Sequence, residues 1–295
     1  MLVWMHIALS TSVCPVPAPA TGLLRRWAAL RADHGLTLAT DARLPLAVQR
    51  ELLAELQGDG IAACRQVTHP LLQTNGRPVA SALSTDRDER EAAGQAMLET
   101  LQLAEAHRVD RVVLLPWSLP LHLPIPALAR LFARDETLPL ALLHDERRDR
   151  ACAALDGLKL ALDGLAARAD TQGVQIILAA PAVWPHQLPD PDEIAELQRV
   201  FAGAPLGLAH HTDWQHAAQI LRGTPADQPQ TPQPAVIGLA DACGLRLSLP
   251  LGTGQADWRV ALEGQEPAHD SLPVVLSFDE QTTAAELRQA LSLIG

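Results

Sequence analysis

The densest group of reactive side chains in this sequence is His210-His211-Thr212-Asp213-Trp214. Imidazoles beside a carboxylate can ligate a transition metal or act on a bound substrate. His69 and Asp279 each close another apolar run and complete a candidate catalytic set, His211, Asp279 and His69, with His211, Asp213 and Asp279 as candidate metal ligands. Trp117, Trp184, Trp214 and Trp258, with His186 and Arg246, form a second group suited to holding a substrate. Tryptophan offers a flat apolar surface with a single donor, which serves stacking on a sugar and plain packing equally well. Other chemistries find little support. Lys159 is the only lysine and lies in a helical pattern, which disfavours Schiff-base chemistry, and Ser10-Thr11-Ser12 has no Gly-x-Ser-x-Gly context.

Apolar runs alternate with longer stretches of helical periodicity, the signature of a parallel α/β fold. Strands are expected at 4–10, 36–40, 61–68, 111–115, 174–179, 206–209, 245–249 and 273–277. Helices are expected at 22–33, 45–57, 86–107, 127–134, 148–171, 191–201, 213–221, 235–242 and 282–294, while 138–143 fits neither pattern. Eight strand–helix pairs predict a single (β/α)₈ TIM-barrel domain over residues 1–295, with the Pro/Gln-rich stretch 223–234 as a flexible insertion. An open doubly wound sheet is the alternative, but its Gly-rich phosphate turn belongs after the first strand, where this chain has Thr11-Ser12-Val13-Cys14. A barrel places its site at the C-terminal strand ends, where the candidate residues fall. Neighbouring strand residues point opposite ways, so only one of His210 and His211 faces the interior.

Composition narrows the partners. A hydrophobic content of 48% is ample for a core, and a formal net charge of -11 opposes a nucleic-acid surface. The four cysteines form no Cys-x-x-Cys pair and read as reduced thiols in a cytoplasmic protein. The apolar N-terminus is too short to span a membrane and lacks the positive start of a secretory signal. His6 reads as a core histidine, Glu146-Arg147-Arg148-Asp149-Arg150 as a solvated face, and the proline-rich loop 116–126 as a lid or a rigid connector. Arg65 and Arg246 fall on expected strands, where a charge is costly unless paired; Arg65 suits a buried ion pair, and Arg246 an anionic ligand group.

The stretch Leu249-Pro250-Leu251-Gly252-Thr253-Gly254-Gln255-Ala256-Asp257-Trp258 resembles the loop after the seventh strand in the sugar phosphate isomerase/epimerase group of xylose isomerase-like TIM barrels. Residues 84–117, 172–178 and 206–208 resemble further elements of that group. The resemblance implies a divalent metal, Zn, Mn or Mg, held by carboxylates and a histidine at the ends of strands five to eight, and proton movement between neighbouring sugar carbons. The sequence departs from it. The fifth-strand Glu falls at Ala179-Ala180, the sixth-strand Asp at His211, and the His three residues later at Trp214. The seventh-strand His falls at Arg246 or Ser248, and the final Glu at Ser277. Two functions follow as expectations. One is an isomerase or epimerase that acts on or binds a small sugar-like metabolite with an atypical metal site. The other is a catalytically degenerate barrel serving as a ligand-binding module, or as the partner of another protein or of a second copy.

Overall fold

The computed structural model describes residues 6–13, 20–31, 36–59, 64–71, 73, 75, 77–134, 139–222, 233–263 and 272–294. The chain runs β1 (His6–Ser10), α1 (Ala20–Arg31), β2 (Thr37–Ala39), α2 (Leu46–Asp59), β3 (Cys64–Thr68), α3 (Arg87–Ala106) and β4 (Arg111–Leu114). It continues through β5 (Trp117–Ser118), α4 (Ile125–Ala133), α5 (Leu140–Gln172), β6 (Gln175–Ala179), β7 (Gln187–Leu188) and α6 (Pro191–Val200). Then follow β8 (Leu206–His211), α7 (Thr212–Arg222), β9 (Val236–Leu239), β10 (Asp241–Cys243), β11 (Arg246–Leu249), α8 (Trp258–Glu263), β12 (Pro273–Leu276) and α9 (Ala284–Ile294).

Parallel strands close into a barrel in the order β1-β12-β9-β8-β6-β4-β3-β2, with β1 paired to both β12 and β2. Closure removes the open doubly wound sheet from consideration, and the architecture is the expected (β/α)₈ TIM barrel. Alternation along each strand builds two cores. Outward residues such as Leu38, Val112, Ile176, Leu208 and Leu276 pack under the helices. Inward residues Ala8, Ala39, Val113, Ile177, Ala179, Ala209, Val236 and Val275 fill the lumen. Each fully buried Leu or Ile of the outer layer contributes about 1.5–3 kcal/mol. The inner layer is rich in alanine, smaller than the branched residues that usually fill such barrels.

Local signals set several boundaries. Asp86 caps α3, accepting from the Asp88 and Glu89 amides. Asp190 and Glu193 form a capping box at α6, with Pro191 in its first turn. Gly173, at φ 66°, ends α5 in the left-handed conformation that glycine adopts without strain.

Four expectations are corrected. Residues 235–242 are not helical: Val236 to Leu239 is β9, a barrel strand buried on both faces. Its short apolar run fits a strand and is too brief for a stable helix. Residues 245–249 are therefore not the seventh barrel strand. They contain β11, which pairs antiparallel with β10 in a hairpin outside the barrel. The unassigned stretch near 140 begins α5, which starts earlier than the expected 148 and extends to Gln172. Within the charge run, Arg147 is buried rather than solvated, donating to both carboxylate oxygens of Glu193 at 2.7 and 2.9 Å. Residues 223–232 of the Pro/Gln-rich stretch, Trp4, Cys14 and the Arg65 side chain lie outside the described set.

Candidate functional site

Strand register decides what reaches the mouth of the barrel. The inward positions at the C-terminal ends of β6, β8 and β9 are Ala179, His211 and Gly238, and Ser277 follows β12 on the same face. His211 lies against the strand beside it. A Cβ at Gly238 would sit 2.2 Å from His211 Nδ1, so glycine alone leaves room for the ring. Trp214, in the first turn of α7, covers the other side of the imidazole, with ring centroids 4.2 Å apart and planes inclined by 19°. Trp214 also packs on the lumen core. Burial, and then the neighbouring His210, push the His211 pKa down to about 4, so the ring is neutral at pH 7. Its Nε2 is buried and has no hydrogen-bond partner among the described residues. Alternation turns His210 to the opposite side of the sheet, where burial also lowers its pKa.

The two acidic candidates serve the hairpin. Asp213 is buried, and its Oδ2 accepts the Ser248 amide at 3.0 Å. The Asp279 amide donates to the Ser248 carbonyl at 2.9 Å, while its carboxylate accepts from Gln281 and Thr282 ahead of α9. Ser248 has φ 60°, an unusual conformation for a residue other than glycine. Its amide and carbonyl are thus both held by candidate ligands. Burial raises the Asp213 carboxyl to about 6, against the lowering effect of the amides it accepts.

Asp241, which opens β10 two residues beyond the end of β9, is a determinant the sequence alone did not reveal. Its Oδ1 accepts from the Ala242 and Ala256 amides at 2.8 and 2.9 Å, and its Oδ2 from Gly252 and Gly254 at 3.0 and 2.8 Å. The Gly-rich loop is therefore curled around an internal carboxylate. Gly252 has φ 83°, and a Cβ at Gly254 would meet the Ala242 carbonyl oxygen at 2.3 Å. The available signal was an acidic residue directly after an apolar run and shortly before the glycines.

The remaining candidates are dispersed. His69 faces outward to α3: its Nδ1 meets Thr100 Oγ1 at 2.8 Å. That hydroxyl donates to the Ala96 carbonyl, so Nδ1 carries the hydrogen. Burial lowers the His69 pKa to about 4. Trp117 belongs to the small β5–β7 sheet, opposite Leu188. Trp184 is buried beside that sheet, edge-on to His144 at 4.2 Å, with the Arg222 guanidinium 5.2 Å from its ring. His186 is buried there too and donates from Nε2 to the Leu123 carbonyl. Trp258 packs into the outer core. Arg246 is exposed on β11, opposite Cys243. Of the expected site residues, the structure brings His211 and Trp214 together at the mouth.

The divalent metal implied by the resemblance does not fit this donor set. At the ends of barrel strands five to eight stand Ala179, His211, Gly238 and Ser277: one imidazole, one hydroxyl and no carboxylate. A hard cation needs several oxygen ligands, and zinc needs three or four good donors. Among the described residues, no three His, Cys, Asp or Glu side chains are grouped so as to hold a metal ion.

Comparison with known proteins agrees on the architecture. No family model matches the chain, and no curated protein sequence does. Solved structures do. A D-tagatose 3-epimerase-like protein superposes with a TM-score of 0.68 at 14% identity, covering 98% of this chain and 96% of that one. The IolI protein with a bound zinc atom gives 0.61 at 13% identity, over 98% and 96%. D-allulose 3-epimerase from Methylomonas sp., in complex with D-allulose, gives 0.57 at 13% identity, over 98% and 90%. Identities this low speak for the fold, which is that of the xylose isomerase-like TIM barrels.

Proposed function

We propose that this chain binds a small, sugar-like polyhydroxy metabolite at the C-terminal mouth of its barrel and performs no metal-dependent isomerisation there. The observation that carries the proposal is the His211–Trp214 stack seated on Gly238, where the resemblance expects metal ligands. A neutral imidazole can accept or donate one hydrogen bond, and an indole beside it supplies an apolar surface for the C–H face of a sugar. The unpartnered Nε2 is an energetic deficit in the free protein that a ligand hydroxyl offsets. The sugar epimerases of the same fold, one of them in complex with D-allulose, support the ligand class.

Elemental mass spectrometry of untagged protein, followed by calorimetric titration with neutral ketoses and with sugar phosphates, tests the proposal. The expected result is metal-free folded protein that binds a sugar, with affinity reduced at least tenfold in His211→Ala. Stoichiometric Zn, Mn or Fe that is lost in His211→Ala would return the site to metal-dependent catalysis. Unchanged sugar affinity in His211→Ala would remove the ligand from this mouth.

A further inference from the structure

The opposite end of the barrel contains a group of polar side chains with no part in the site above. A cavity of about 310 Å³ opens there, lined by Arg111, Gln175, Gln198, Gly207, Gln233 and Pro273 among others. Arg111 and Gln175 begin adjacent strands, β4 and β6, and are register partners. Both share the inward face with Val113 and Ile177, two residues further along their strands. Arg111 has a side chain only 16% exposed. Its Nη1 meets the two Asp110 carboxylate oxygens at 3.1 and 3.0 Å. Its Nε is buried without a partner, and Asp110 engages Nη1 alone, so the Nε–Nη2 edge is unpaired among the described residues.

We propose that this cavity is a small-oxyanion site, in which the free edge of the Arg111 guanidinium and the Gln175 carboxamide hold a carboxylate or phosphate group. Two parallel N–H groups on one guanidinium edge match two oxygens of such a group, a geometry that lysine cannot reproduce. Gly207 keeps the cavity open at the carboxamide. A Cβ there would lie 3.1 Å from Gln175 Nε2, 2.8 Å from Ile177 Cδ1 and 2.6 Å from Ala235 Cβ. The net charge of -11 repels anions in general, so one that binds here depends on this local cation. If Arg111 served only to anchor the rim through Asp110, one edge of the guanidinium would suffice, and that role leaves the burial of an unpaired Nε unexplained.

Calorimetric titration of the full chain at low ionic strength, with succinate and separately with inorganic phosphate, tests this site. One of the two anions is expected to bind with 1:1 stoichiometry. Arg111→Lys, which keeps the charge and loses the fork, is expected to weaken binding at least tenfold, and Gln175→Leu several-fold. Gln175→Leu also serves as the independent variant if Arg111→Lys does not fold. His211→Ala, at the other end of the barrel, is expected to bind the anion as the parent does. Preference for succinate identifies a carboxylate ligand, and preference for phosphate a phosphorylated one. Binding of neither anion, equal binding by Arg111→Lys, or loss of binding in His211→Ala each overturns the proposal.

Discussion

His211 closes β8 and Asp241 opens β10 just beyond the end of the neighbouring strand β9, and the protein treats the two in opposite ways. Every oxygen of the Asp241 carboxylate is occupied by backbone amides, four in all. His211 is packed between Trp214 and Gly238, yet its Nε2 has no hydrogen-bond partner among the described residues. Buried polar groups are normally satisfied, because leaving one unpaired costs about 1–3 kcal/mol. A satisfied group holds architecture, whereas an unsatisfied one is available to something not yet bound. Asp241 therefore organises the Gly-rich loop from within. That loop has the amide-rich form of an anion cradle, but its anion is a side chain of the same protein.

The largest effect is expected from removing the satisfied member. Asp241→Ala strips one acceptor group from four amides and should lower the unfolding free energy by about 3–5 kcal/mol in urea titrations. Asp241→Asn should cost less, since one oxygen still accepts, although its NH₂ then faces donors. If Asp241→Ala unfolds with the parent's midpoint, solvent already satisfies those amides and the contrast between the two residues dissolves.

Much of this architecture was legible in the sequence. Strand ends near residues 68, 114, 179, 209 and 276 followed from apolar runs, and the helix from about 86 to 107 from its repeat. The seventh strand was not. Val236-Ile237-Gly238-Leu239 carries no alternation because both of its faces are buried, and the hairpin after it supplied a second apolar run in a plausible place. That displacement moved the expected seventh-strand ligand to Arg246 or Ser248, residues of the hairpin. At the mouth, His211 and Trp214 were visible as residue types. Gly238 was not, because its importance lies in a contact between two strands. The Arg111 cavity was equally hidden, since a strand-initial arginine shows its unpaired edge only once the fold sets Asp110 and Gln175 beside it.

Titration separates the same residues by sign. The raised pKa of Asp213, about 6 against 3.8, means the folded state binds more protons in that window. Its contribution to stability is present below pH 3.8 and is lost as pH rises through 6. His211 and His69, lowered to about 4 from 6.5, act in the opposite direction, and their contribution is gained as pH rises from 4 to 6.5. Asp213→Asn, whose carbonyl can still accept from Ser248, should therefore be more stable than the parent at pH 7, by at most about 3 kcal/mol. Its stability should also rise more steeply with pH between 4 and 6. Parallel stability–pH curves for the two proteins would show that the Asp213 carboxyl titrates normally.

A smaller effect tests the contact that defines the mouth. Gly238→Ala places a methyl group where His211 Nδ1 now lies, and overpacking of this kind costs about 1–3 kcal/mol. His211→Ala alone removes a ring whose Nε2 has no partner, so its loss of stability should be smaller than its loss of ligand affinity. Combining the two substitutions should restore most of the Gly238→Ala deficit, because the methyl group then enters space the imidazole has vacated. The sign of this coupling carries the information: contacting residues depart from additivity by about 0.5–3 kcal/mol. Strict additivity in a double-mutant cycle would mean that the ring leaves Gly238 in solution. His211 could then adopt another rotamer at the mouth, and the case against a metal centre would rest on Ala179, Gly238 and Ser277.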